Sequence, residues 1–120
     1  MRQKVRDLRN LERISEIGLE RELAQLARIN KEEDALRSEL MMLDGALRKA
    51  LERRNLESTT SDLFGQKNGA KWLVWRNIQK AKLNAKLAAL LAEKEVALSS
   101  ARLAFGRVQA IQMLAEQMVK

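Results

Sequence analysis

The stretch that decides the fold reads STTSDLFGQKNG and spans residues 58–69. It is the only part of the chain rich in serine, threonine and glycine, and no proline occurs anywhere in the sequence. Long segments with helical periodicity lie on both sides of it. We therefore predict a single all-α domain, built as an antiparallel coiled-coil hairpin of two long helices. Residues 1–57 form the first helix, residues 58–69 the turn, and residues 70–120 the second helix.

Both predicted helices carry an apolar row with the alternating spacing of three and four residues that is typical of coiled coils. In the first helix the a and d positions are Leu19, Glu22, Leu26, Ile29, Glu33, Leu36, Leu40, Leu43, Leu47 and Ala50. In the second helix the row is Leu83, Leu87, Leu90, Lys94, Ala97, Ala101, Ala104, Val108, Ile111, Ala115 and Met118. These rows predict a seam between the two helices. Gly18, Gly45 and Gly106 each cost a helix about 1 kcal/mol relative to alanine, and we expect a close approach by the other helix to offset that cost.

Two charged residues interrupt the regular part of these rows. If the turn is centred near residue 63, Leu26 faces Ala101 and Glu33 faces Lys94. A polar pair inside a seam costs stability but fixes the register of the helices, so we predict that Glu33 and Lys94 form a register pair. In the alternative interpretation, both side chains simply extend to water along the edge of the seam.

The composition limits the chemistry that the chain can perform. It contains no cysteine and no histidine, so the commonest general base and transition-metal ligand are missing. We predict that the protein is not an enzyme, and we expect no cofactor and no metal site. No apolar run approaches the roughly twenty residues that span a bilayer. The charged start MRQKVRDLRNLER lacks the apolar core of a signal peptide, so we expect a cytoplasmic protein.

Positive charge is concentrated beside the predicted turn. Nearly all of the net charge of +7 lies in the second half of the sequence. The basic residues on the two sides of the turn are Arg48, Lys49, Arg53, Arg54, Lys71, Arg76, Lys80, Lys82 and Lys86. Trp72 and Trp75 lie among them. In a hairpin, these charges and both tryptophans share one end.

Three interpretations of this basic end remain open. In the first, the tryptophans cap the core and the charges keep the hairpin in solution. In the second, the end binds a protein partner, because tryptophan and arginine dominate interface hot spots. The candidate partner-binding residues are Arg53, Arg54, Lys71, Trp72, Trp75 and Arg76. In the third, the end holds nucleic acid or anionic lipid, which is the weakest interpretation because no nucleic-acid-binding motif is visible.

Further apolar residues lie off the predicted seam. They are Ile14, Ile17, Met41 and Met42 in the first helix and Leu73, Val74, Val96, Leu103, Ala110 and Leu114 in the second. Two helices cannot bury all of them against each other. We therefore expect self-association into a homo-oligomer or a partner that covers this surface.

The stretch KWLVWRNIQKAKLNAKLAAL, followed later by ARLAFGRVQAI, is similar to the C-terminal arm of the FliJ/YscO family. The whole chain also resembles these small cytoplasmic coiled-coil proteins of flagellar and type III secretion export in size, charge, periodicity and central break. The resemblance implies a non-enzymatic adaptor or chaperone-like protein that contacts an export ATPase or export chaperones. The alternatives are a structural coiled coil that associates with itself and, less favoured, a basic helical hairpin that binds nucleic acid.

Overall fold

The computed structural model describes the backbone of residues 2–56 and 62–119, and side chains for residues 2–53 and 69–118. Helix α1 spans Arg2–Leu56 and helix α2 spans Asp62–Val119. No strand, no cis peptide bond and no residue with positive φ occurs within the described ranges. The prediction of an all-α protein with two long helices is confirmed.

The chain divides into two units, and each contains a piece of both helices. The first unit comprises residues 1–31 and 91–120, and the second comprises residues 32–90. In the first unit, Lys4 and Leu8 line one cleft with Leu114 and Met118, whereas Arg28 reaches Glu93. Early residues of α1 therefore meet late residues of α2, so the two helix segments of this unit are antiparallel. In the second unit, Asp44 of α1 contacts Arg76 and Lys80 of α2.

The buried side chains follow the predicted rows. Ile29 of α1 has no exposed surface. The buried apolar residues of α2 are Leu83, Leu87, Leu90, Ala97, Ala101, Ala104 and Val108. The remaining a and d residues from Leu19 to Leu47 are half-buried. Burial with this spacing shows that the core is a narrow seam between the helices, as the heptads predict.

Helix α2 begins earlier than the sequence predicts. It starts at Asp62, so residues 62–69, which we assigned to the turn, are helical; residues 57–61 lie outside the described part of the chain. No proline forbids a helix in this stretch, and its glycines only weaken one. In the first unit, Arg28 reaches Glu93, between one and two turns before Ser99, which the predicted register places opposite it.

The predicted pairing of Glu33 with Lys94 stays a prediction, because these residues belong to different units. The structure places both on the seam side of their helices, where each is half-buried. Glu33 accepts a hydrogen bond of 2.8 Å from Nε of Arg37, one turn later in α1. The spacing of four residues within one helix favours this ion pair between Glu33 and Arg37.

The glycines do not mark a close approach of the helices. A Cβ atom added at Gly18, Gly45 or Gly106 would meet no heavy atom within 4 Å. Our expectation that the other helix packs tightly against them is therefore wrong. Within the described structure, a close approach by the other helix therefore does not offset the cost of glycine at these positions.

Replacing Gly18 and Gly45 with alanine is expected to raise the free energy of unfolding by about 1 kcal/mol per site, because alanine is the better helix former and both sites have room for its methyl group. Urea unfolding followed by circular dichroism measures the change. The control is Ala27→Gly at an exposed position of α1. This variant should lose a similar amount of free energy of unfolding. Unchanged or lower stability of the Gly18→Ala/Gly45→Ala variant would contradict the claim that these two glycines only weaken the helix.

Candidate protein-binding surface

One face of α2 in the second unit carries an exposed tryptophan between lysines. Lys71, Trp75, Ile78 and Lys82 follow one another at spacings of four, three and four residues, which place them on the same side of a helix. Trp75 is 52% exposed and Ile78 is 49% exposed. Both lysines are exposed, as is the neighbouring Val74. We call these five residues the Trp75 surface.

The two tryptophans have different environments. Trp72 is half-buried, whereas Trp75 exposes half of its side chain. Trp72 precedes Arg76 and Leu83 of the seam at helical spacing, so it belongs on the side of α2 that faces α1. The first interpretation, in which a tryptophan caps the core, therefore fits Trp72. The second interpretation, in which a tryptophan is accessible to a protein partner, fits Trp75.

Arg76 does not belong to an accessible surface. The residue is only 7% exposed, and its guanidinium donates hydrogen bonds to Asp44 Oδ1 and, at 3.4 Å, to the carbonyl oxygen of Leu43. Our assignment of Arg76 to the partner-binding set is corrected accordingly. The sequence does contain the relevant signal, because Arg76 continues the row of Leu83 and Leu87 towards the start of α2. Its long carbon stem can occupy a seam position while the charged group reaches a carboxylate at the edge.

Asp44 links the two helices at this point. Its Oδ1 atom accepts hydrogen bonds from Arg76 and, at 3.2 Å, from Nζ of Lys80. These contacts replace the pairing of Asp44 with Arg48 that the spacing within α1 suggests. The hydrogen bond from Lys80, together with the positive charges of Lys80 and Arg76, lowers the pKa of the Asp44 carboxyl from its ordinary value of 3.8, against a smaller opposing effect of desolvation.

The remaining predicted residues lie on both helices of the second unit. Arg53 of α1 and Lys71 of α2 are exposed. The side chain of Arg54 lies outside the described residues, so its assignment stays a prediction. Sequence reasoning missed Ile78 and Lys82 as members of the same face, although their spacing from Trp75 could have identified them.

The described side chains also bear on metal binding. No group of three or more histidine, cysteine, aspartate or glutamate residues that could hold a metal ion occurs among them. In the described ranges of α1 and α2, no stretch is both long and apolar enough to pass through a bilayer. The Trp75 surface is an apolar helix face with basic edges. Comparisons with models of protein families, with curated proteins and with solved structures find no match to this chain.

Proposed function

We propose that this protein is a non-enzymatic helical-hairpin adaptor that binds another protein through the Trp75 surface. The observation that carries the proposal is an indole that stays half exposed on a regular helix, with an exposed lysine one turn before it and another two turns after it. Large aromatic side chains next to cationic ones are typical of interface hot spots.

The position of Trp75 on a helix favours binding. A side chain held by a long helix loses less conformational freedom on association than one on a loop, so more of its burial appears as affinity. Val74 and Ile78 extend the apolar area beside the indole, and both are about half exposed or more. Lys71 and Lys82 give this area basic edges. The surface therefore suits an apolar groove or helix with acidic edges.

The resemblance to the FliJ/YscO family supplies the identity of the partner in this proposal. We infer that the partner is an export ATPase or an export chaperone of flagellar or type III secretion, met in the cytoplasm. The antiparallel hairpin and its basic second half agree with that resemblance.

Replacing Trp75 with alanine is expected to weaken binding at least about tenfold, because truncation of a hot-spot tryptophan typically costs about 2 kcal/mol or more. The test is affinity capture with the full chain, followed by titration of purified export ATPase or export chaperone. A second variant, Lys71→Glu/Lys82→Glu, should weaken binding most at low salt. The control is Met42→Ala, because Met42 is 74% exposed but lies on α1.

Each variant is first checked for unchanged helix content by circular dichroism. Recovery of the same partners by Trp75→Ala as by the wild type would reject the Trp75 surface. Material that is mainly nucleic acid, and that is lost steeply as salt rises, would reject the protein-binding proposal in favour of phosphate contacts.

A further inference from the structure

Helix α2 carries a second apolar row in the first unit, on the side opposite the seam. Its members are Ala92, Val96, Ser99, Leu103, Gly106 and Ala110, at alternating spacings of four and three residues. All six are exposed, and Val96 and Leu103 expose 68% and 64% of their surface. We call them the Leu103 row. The seam residues that alternate with them, such as Ala97 and Ala101, are buried.

The Leu103 row has the pattern of a helix–helix contact. It contains no charged residue, and it repeats at the spacing that keeps one face of a helix against a partner helix. Every seventh residue is small: Ala92, Ser99 and Gly106. A Cβ atom at Gly106 would meet nothing within 4 Å inside the monomer, so the close approach that glycine permits is not used by α1. The row thus has the spacing and the small residues of a helix–helix contact, but α1 of the same monomer does not cover it.

The charges beside the row favour a second copy of the same helix. Glu95 and Arg102 lie along one edge, and Glu93 and Arg107 lie along the other. In an antiparallel pair of α2 helices with a two-fold axis beside Ser99, Glu95 comes opposite Arg102 of the second copy. On the other edge, Glu93, which also pairs with Arg28 of its own copy, comes opposite Arg107 of the second copy. Symmetry repeats each pair, so opposite charges meet four times across the contact.

The same axis also matches the apolar residues. Val96 then lies opposite Leu103 of the second copy, Ala92 lies opposite Gly106 of the second copy, and Ser99 meets its own equivalent. A parallel, in-register pair instead brings Arg102 beside Arg107 of the second copy, where like charges repel. Glu95, Arg102 and Arg107 make no ion pair with any side chain that the structure describes, so a second copy would give them partners.

We propose that two copies of this chain dimerise through the Leu103 row, with their α2 helices antiparallel about a two-fold axis beside Ser99. This inference goes beyond the adaptor function and shares no residue with the Trp75 surface. The contact from Ala92 to Ala110 is about 27 Å long, which is short for a permanent interface. The dimer is therefore reversible, with a dissociation constant in the micromolar range.

Sedimentation of the full chain from about 1 µM to about 1 mM covers the range expected for an interface of this size. The wild type is expected to shift from monomer to dimer over this range. Leu103→Glu is expected to remain monomeric, whereas the control Met41→Glu, at a 74% exposed position of α1, should dimerise like the wild type. A wild type that stays monomeric throughout, or a Leu103→Glu dimer of unchanged affinity, overturns the proposal.

A charge exchange tests the antiparallel arrangement. Arg102→Glu and Glu95→Arg should each weaken the homodimer about tenfold, because each places like charges opposite one another twice. A mixture of the two single variants should form a heterodimer of nearly wild-type affinity, and so should the double variant as a homodimer. Failure of both combinations to recover dimerisation overturns this arrangement.

Cysteine pairing tests the position of the axis, because the chain contains no cysteine. Ser99→Cys is expected to form a disulfide-linked dimer under mild oxidation, since the two sites lie within the few ångströms that a disulfide requires. Ala92→Cys alone should not, because the axis places its two copies about 21 Å apart along the helices. A parallel pair would link both variants equally and would contradict the two-fold axis at Ser99.

Discussion

Replacing Ile29 with alanine is expected to lower the free energy of unfolding by about 2–5 kcal/mol. Ile29 is the described side chain with no exposed surface at all, so the substitution removes buried methyl groups and leaves a cavity in the seam. A native domain is stabilised by only about 5–15 kcal/mol in total. One substitution should therefore remove a large share of the stability, and urea unfolding followed by circular dichroism measures it.

Ile14→Ala is the matched control, because it makes the same chemical change in the same helix at a residue that is 65% exposed. It should change the free energy of unfolding by less than about 1 kcal/mol. If Ile29→Ala leaves too little folded protein to measure, Ile29→Val should still show a loss of about 0.5–1.5 kcal/mol. Equal losses at Ile14 and Ile29 would contradict the location of the core.

The ion pair between Asp44 and Arg76 should respond unequally to removal of its two partners. Asp44→Asn leaves the guanidinium of Arg76, a buried residue, without its carboxylate, and an unpaired buried charge is strongly destabilising. Arg76→Met keeps an unbranched side chain in the seam and leaves Asp44 exposed and close to Lys80. We expect Arg76→Met to remain within about 1 kcal/mol of the wild type, since apolar replacement of a buried ion is often neutral, and Asp44→Asn to be clearly less stable.

The destabilising effect of Asp44→Asn should depend on pH. Folding lowers the pKa of the Asp44 carboxyl from 3.8, so its charged form stabilises the native state above the ordinary pKa. That contribution is lost as pH falls through the lowered pKa. The difference in the free energy of unfolding between wild type and Asp44→Asn should thus be largest near neutral pH and should shrink below about pH 3.8.

Denaturant unfolding at neutral and acidic pH tests this dependence. Asp34→Asn serves as the control, because Asp34 is exposed and makes no ion pair with a described residue. A difference between Asp44→Asn and wild type that stays constant across this range would show that the charge of Asp44 is not what stabilises the contact.

The seam was predictable from sequence because its physical cause is local and repetitive. Most residues that the heptads place at a and d, such as Ile29 and Leu87, are buried or half-buried, whereas Ala50 and Met118 are exposed. The unpartnered apolar positions, including Val96 and Leu103, were also foreseen, since a two-helix seam has only one buried side per helix.

The start of α2 and the role of Arg76 were harder to predict. Glycine and asparagine in residues 58–69 suggest a turn, but their cost is small enough for a helix to continue through part of that stretch. Arginine is usually a solvent-exposed residue, and only the position of Arg76 in the row of Leu83 indicates that it lies in the seam. The same row, extended towards the start of α2, includes Trp72 but not Trp75, so it distinguishes the two tryptophans. Identifying the candidate binding surface therefore depended on the exact helical phase near the turn.

The antiparallel arrangement has a consequence for the order in which the chain folds. The contacts from Asp44 to Arg76 and Lys80 join residues 32 and 36 apart in sequence, whereas the contact of Arg28 with Glu93 joins residues 65 apart. Loop closure costs roughly 0.6 kcal/mol more for each doubling of loop length, so the pairs nearest the connection form first. We therefore expect the second unit to act as the folding nucleus, with each further turn of helix added at little extra cost in closure entropy. Substitutions at Asp44 should consequently slow folding, whereas Ile29→Ala should mainly accelerate unfolding.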